Sequence, residues 1–180
     1  QRDDQYGGNA ENRAQILWEV IAGVNERCGR DFSLGVRLSP ERFGQRTAEI
    51  RDLAAALLTD SRLDYLDMSL WDFTKPAHDE EFGGQSLLEI FTQLPREGVA
   101  LGAAGKLYSA AQCQSAIDQG LDCVMVGRGG ILHHDFLERA LADPEFIMAD
   151  LPVTREHLKQ ERLGPPFIDY MASWKGFVAD

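Results

Sequence analysis

Positive charge is scarce in this 180-residue chain: 18 lysines and arginines face 29 aspartates and glutamates, for a formal net charge of −11. That balance argues against nucleic acid or an anionic membrane surface as a partner, because both are attracted by a basic face. It suits a small-molecule enzyme that stays dissolved in the cytoplasm. Long apolar runs are missing as well; no stretch approaches the ~20 apolar residues of a membrane helix. Cysteine is limited to Cys28, Cys113 and Cys123, an odd number without CxxC spacing. A disulfide framework or a thiolate metal site is therefore not expected, and buried free thiols in a reducing compartment are. Cys113 falls on an apolar helix face and Cys123 inside an apolar run. No Walker A segment, HExxH pair or Ser/His/Asp order is present.

What is present is an ordinary globular composition, 44% hydrophobic and 26% charged. The length allows one domain with a real core but not an eight-fold β/α barrel of roughly 250 residues. The opening Gln1-Arg2-Asp3-Asp4 is polar and loop-like and does not start with methionine, which leads us to expect further chain upstream.

Short apolar runs alternate with amphipathic stretches. A first helix is expected from near Asn9 or Glu11 to Gly29, with Ile16, Leu17, Val20, Ile21 and Val24 at helical spacing. Phe32 to Leu38 reads as a strand stopped by Ser39-Pro40, and Ile50, Leu53, Ala54, Leu57 and Leu58 mark a second helix. A strand over Leu63–Leu70, a polar loop from Trp71 to Gln85 and a helix capped by Ser86 come next. Val99–Gly102 is the third strand, Ser109–Gln119 the next helix and Cys123–Val126 the fourth strand. Gly127-Arg128-Gly129-Gly130 is expected to turn out of it toward a helix from about His134 to Ala142. Four strands each followed by a helix imply an α/β fold with a parallel sheet, either half a barrel or an open sheet. Beyond Asp143-Pro144, Phe167, Tyr170, Met171, Trp174 and Phe177 recur at helical spacing and are expected to pack as one apolar face. Either a docked terminal helix or an oligomer contact accounts for such a face.

Binding sites in parallel β/α folds lie at the carboxyl ends of the strands. Three such ends carry chemistry here. Arg37 sits inside an otherwise apolar strand, where a guanidinium is costly to bury unless an anionic or electron-rich group, or a carboxylate such as Asp67, meets it. Gly105-Lys106 and Gly127-Arg128 each join a glycine to a base at consecutive strand ends, a pattern suited to phosphate. Two tight turns with solvated bases would look the same. His133 and His134 are adjacent and project in different directions, so helix-start packing fits them better than a metal pair. Asp67 and Asp72 flank Trp71 and read as ion-paired or solvated carboxylates.

Arg2-Asp3-Asp4-Gln5-Tyr6-Gly7-Gly8-Asn9-Ala10-Glu11-Asn12-Arg13 resembles the RxDxYGGSxENR stretch of the old yellow enzyme, or NADH:flavin oxidoreductase, family, with Asn9 in place of the usual serine. Gly35-Val36-Arg37-Leu38-Ser39 is similar to the family's fifth-strand GVRLS, and Gly105-Lys106 and Gly127-Arg128 resemble its seventh- and eighth-strand turns. Ala104 stands where a double glycine is commoner. The resemblance implies the C-terminal half of a (β/α)8 TIM barrel over residues 1–143 and a C-terminal helical extension of the same domain over 144–180. It implies FMN as cofactor, NADH or NADPH as reductant, and hydride transfer from reduced FMN to an activated alkene or similar small-molecule acceptor. Arg37 would meet the pyrimidine edge of the flavin, and Gly105, Lys106, Gly127 and Arg128 would hold its phosphate, with no catalytic residue and no metal ligand assigned. The family's substrate-holding pair and tyrosine proton donor belong to the N-terminal half of the barrel. The chain by itself is thus expected to be an incomplete, inactive fragment whose partner is that missing half, with self-association into a homo-oligomer as a further outcome. Another phosphate-binding barrel enzyme, an aldolase or isomerase, and a non-catalytic half-barrel binding module are the alternatives.

Overall fold

The computed structural model describes residues 2–41 and 44–179; Gln1, where the polar opening begins, lies outside them. Helix α1 (Ala10–Cys28) starts where Asn9 accepts the Asn12 amide and stops at Gly29, whose φ of 77° ends the helical path. The chain then alternates through β1 (Gly35–Leu38), α2 (Thr47–Leu58), β2 (Tyr65–Ser69), α3 (Leu87–Thr92), β3 (Ala100–Ala104), α4 (Ala110–Asp118) and β4 (Cys123–Val124). A single 3-10 turn, Glu80–Phe82, interrupts the long loop between β2 and α3. Ser86 and Glu89 close a reciprocal capping box at the start of α3, and Ser109 caps α4. Beyond β4 the described residues form the short helices α5 (Arg128–Leu132), α6 (Phe136–Ala142), α7 (Arg155–Gln160) and α8 (Pro165–Ala172), joined by irregular chain that makes isolated bridges at Ile147, Val153 and Val178.

The four strands form one parallel sheet in the order β1-β2-β3-β4, each pairing with its neighbour in sequence. Sequential order puts all four carboxyl ends along one rim. Strand alternation divides the sheet's faces. Leu66, Met68, Leu101 and Ala103 join Ile50, Ala54, Leu57, Leu58, Leu88 and Phe91 in the main core. Arg37, Asp67 and Gly102 stand side by side in register on the other face, with Cys123 next in line.

Several expectations are corrected. β4 ends at Val124, two residues early, although the Met125 amide still reaches the Ala103 carbonyl at 2.9 Å. Gly127 to Gly130 is not an open turn: α5 begins at Arg128, and Gly129 is packed so closely that a Cβ would lie 2.6 Å from the Phe136 ring. α6 consequently starts at Phe136, later than expected. Cys28 is exposed, whereas Cys113 and Cys123 are half-buried and burial pushes both thiols up from their ordinary pKa. Ile16 and Val20 of α1 are exposed while Ile21 is buried.

The C-terminal aromatic face is also divided. Ile168, Met171 and Phe177 bury into a second cluster with Leu132, Val153 and Leu158. Phe167, Tyr170 and Trp174 stay partly exposed and meet in series, tilted and then edge to face, at 5.7–5.9 Å between ring centroids. Phe167 and Tyr170 share one side of α8 while Ile168 and Met171 stand on the neighbouring side, and the helix ends at Ala172, before Trp174 and Phe177, so two faces emerge where one was expected. Among the described residues no helix is long and apolar enough to cross a membrane.

Leu66, fully buried between strand and helices, tests the core: Leu66→Ala should cost about 2–5 kcal/mol, read as a lower midpoint in urea unfolding with an unchanged m-value.

Candidate functional site

The carboxyl ends of the strands enclose an open cleft of about 990 Å³. Arg37, Gly105, Lys106, Gly127 and Arg128, all five residues singled out in the sequence, line it together. It also gathers Glu41, Trp71, Asp72, Lys75, His78, Tyr108 and Trp174, none of them proposed as ligand contacts from the sequence. In a chain of strongly negative balance, Arg37, Lys75, Lys106 and Arg128 outnumber the cleft's two carboxylates, Glu41 and Asp72.

Arg37 is not buried: its side chain is 69% exposed. Its Nε donates to Ser69 Oγ at 2.5 Å and lies 3.4 Å from Asp67 Oδ2, so the anticipated ion pair with Asp67 is present. Both contacts use Nε, which anchors the stem and leaves the outer end of the guanidinium at the cleft. Asp67 is the buried partner. Burial raises its carboxyl pKa, against the pull of Arg37, and its Oδ1 has no hydrogen-bond partner.

The turn after β3 is held by close backbone approach. The Gly105 carbonyl accepts the Phe73 amide at 3.2 Å, and a Cβ on residue 105 would sit 2.9 Å from that nitrogen and 3.1 Å from the Asp72 nitrogen. Only glycine admits this contact. Ala104, in the place of the commoner glycine, accepts the Leu70 amide at 2.8 Å and so serves the sheet. Trp71 and Lys106, on either side of this contact, both have positive φ, 65° and 54°. Non-glycine residues in that region cost of order 1–3 kcal/mol each and persist where surrounding bonds impose them. Here the bonds are visible. Lys106 Nζ donates to Asp72 Oδ2 at 2.8 Å, while the other carboxylate oxygen takes the Thr74 amide and hydroxyl. Lys106 is the chief reason the Asp72 carboxyl is held below its usual pKa.

After β4, Gly127 carries the chain into α5 and its carbonyl accepts the Gly130 and Ile131 amides. Arg128 Nη1 donates to Tyr108 Oη at 2.8 Å. Across the cleft, buried Glu41 accepts Lys75 Nζ at 2.5 Å and the His78 amide at 2.6 Å. Burial pushes this carboxyl up, but Lys75 and the His78 amide hold it below the ordinary range. Glu41 thereby fastens the loop after β1 to the loop after β2. Its position just beyond Ser39-Pro40, at a strand end, was the available signal; Trp174, distant in sequence, carried none.

His133, His157 and Glu161 lie close enough together to suggest a metal site. The hydrogen bonds oppose it. His133 Nε2 accepts the Ala149 amide at 2.8 Å, so the neutral ring carries its proton on Nδ1 and offers no lone pair there. His134 instead bonds Glu161 through both its amide and Nδ1, at 2.8 and 2.7 Å, and His157 Nε2 donates to the Leu132 carbonyl. These contacts tie α7 to α5 and the start of α6.

Parallel β/α units with a basic cleft at their carboxyl rim are the build of β/α-barrel enzymes that hold phosphorylated ligands. The chain belongs to the NADH:flavin oxidoreductase / NADH oxidase family, whose model matches residues 1–144. It is 28% identical to NADH:acrylate oxidoreductase of Vibrio harveyi over 79% of this chain and 15% of that protein. It is 31% identical to NADPH dehydrogenase of Bacillus pumilus (strain SAFR-032) over 71% and 38%, respectively. Among solved structures, morphinone reductase in complex with tetrahydroNAD superposes with a TM-score of 0.61 and 31% identity, covering 83% of this chain and 39% of that one. The chain therefore spans about two fifths or less of the length of these relatives, part of a TIM-barrel enzyme.

The His133 geometry predicts a pH effect. Burial lowers its pKa below the ordinary 6.5, and Glu161, Arg139, His157 and Asp135 face it. The unfolded chain then takes up a proton first, so stability is fully present above about pH 6.5 and declines as pH falls below it. His133→Gln, which can still accept the Ala149 amide, should flatten this decline in urea midpoints measured across that range.

Proposed function

We propose that this chain is the C-terminal half of an FMN-dependent NAD(P)H oxidoreductase barrel of the ene-reductase type, acting in the cytoplasm. The observation that carries this reading is the convergence of Arg37, Gly105-Lys106 and Gly127-Arg128 on one cleft. FMN carries a phosphate at one end and, when reduced, negative charge on the pyrimidine ring at the other. Lys106 and Arg128 meet the first requirement and Arg37 the second. When bound, FMN would accept hydride from NADH or NADPH and pass it to an activated alkene. The chain's own share is to hold and orient the cofactor and to place the Arg37 guanidinium beside the ring. Asp67 and Ser69 keep that guanidinium pointed across the sheet.

Residues 1–143 make up the half-barrel in this reading, and residues 144–180 extend the same domain. The other half is the partner. Exposed Ile16, Val20, Leu137, Leu141 and Ile147 are apolar surface that such a partner would cover, and β1 and β4 each pair on one side only among the described residues. The same surface supports self-association when that half is absent.

The purified chain should bind FMN weakly and reduce no enone when supplied with FMN and NADPH. Arg128→Ala should weaken the residual FMN binding about tenfold, followed by flavin fluorescence. A stoichiometric yellow complex that turns over an enone would overturn the claim of incompleteness. FMN binding untouched by both Arg128→Ala and Lys106→Ala would overturn the assignment of the cleft.

A further inference from the structure

Tyr108 stands in the cleft through contacts that neither its neighbours in sequence nor the glycine-bearing turns announce. It lies four residues beyond β3, and its backbone is clamped from both sides. The Tyr108 amide donates to Gln112 Oε1 at 2.8 Å, and its carbonyl accepts the Met148 amide at 2.8 Å. A second bond, from the Ala110 amide to the Phe146 carbonyl at 2.9 Å, and an antiparallel bridge between Ser109 and Ile147 complete the clamp. The segment beyond α6 thus holds the Tyr108 backbone at the rim of the cleft. The phenol meets Arg128, whose Nη1 donates to Tyr108 Oη.

The direction of that bond decides the chemistry. A guanidinium has only protons to give, so the phenolic oxygen is the acceptor and its own O–H remains to be donated elsewhere. The surrounding cleft offers bases, Lys106 and Arg128, and an anion there would present the missing acceptor. Hydrogen bonds to an ionised acceptor are stronger than neutral ones, and each also narrows the geometry the anion can adopt.

We propose that Tyr108 is a phosphate-binding residue of this cleft. Its hydroxyl donates to a phosphate oxygen while its lone pair holds the Arg128 guanidinium in place for the same group. The assignment rests on the reading of the cleft as a flavin mononucleotide site and adds a ligand to it. It also gives the segment around Met148 a part in binding, because that segment sets the position of the tyrosine.

Tyr108→Phe keeps every backbone bond of the clamp and removes only the hydroxyl. The full chain, as wild type, Tyr108→Phe and Arg128→Ala, is titrated into dilute FMN and, separately, into riboflavin, which lacks the phosphate. Thermal melts by circular dichroism establish that each variant is folded. Tyr108→Phe should bind FMN about tenfold more weakly than wild type and riboflavin equally well, with Arg128→Ala showing the same selective loss. Equal FMN affinity in Tyr108→Phe and wild type overturns the proposal while leaving the cleft reading intact. Loss of FMN and riboflavin in parallel makes Tyr108 a ring contact or a structural residue and overturns it too. A wild-type chain with no measurable FMN binding removes the cleft reading and this proposal with it.

Discussion

A parallel register that lines up Arg37, Asp67, Gly102 and Cys123 across four strands is the constraint on which the cleft depends. In a parallel sheet of sequential order, every strand delivers its carboxyl end to the same rim, and the loop leaving each strand becomes a neighbour of the loop leaving the next. The register also decides which side chains face the main core. A slip of one residue would exchange Leu66 for Asp67 and Arg37 for Val36, placing charge against the core. Burial of Leu66, Met68 and Leu101 therefore holds Arg37 on the open face as firmly as its own bonds to Asp67 and Ser69 do.

The rim is knitted by a few contacts between successive loops. Glu41 joins the first loop to the second, Asp72 and Gly105 join the second to the third, and Tyr108 with Arg128 joins the third to the fourth. Each link pairs a group from one strand end with a group from the next, so the loops are positioned by one another as much as by the sheet. The positive φ values of Trp71 and Lys106 fall at the tightest of these links, where Gly105 lets two backbones meet. Strain located there is consistent with a site whose geometry is imposed by the fold.

The C-terminal region connects with this rim in two ways. Its second apolar cluster shares Leu132, four residues after Arg128 at the end of α5, and Glu161 holds the backbone and ring of His134. Residues 146–148 pair with the segment that carries Tyr108, and Trp174 reaches the cleft wall. The extension is thus continuous with the cleft through side chains as well as through the covalent chain.

Much of the fold was legible in the sequence because it is governed by short-range rules. The Ser86 cap, the helix starts near Asn9 and at Ser109, the stop at Gly29 and the alternation of strand and helix all stem from local propensity and period. So did the choice of Arg37, Gly105, Lys106, Gly127 and Arg128, since strand ends and glycine-plus-base pairs can be read along the chain. The exposure of Arg37, the division of the C-terminal aromatic face, the helical start at Arg128 and the places of Glu41, Tyr108 and Trp174 were decided only in three dimensions. Each depends on a contact with a residue far along the chain, or on the volume left beside a ring or a backbone, and neither quantity is encoded in the spacing of neighbours.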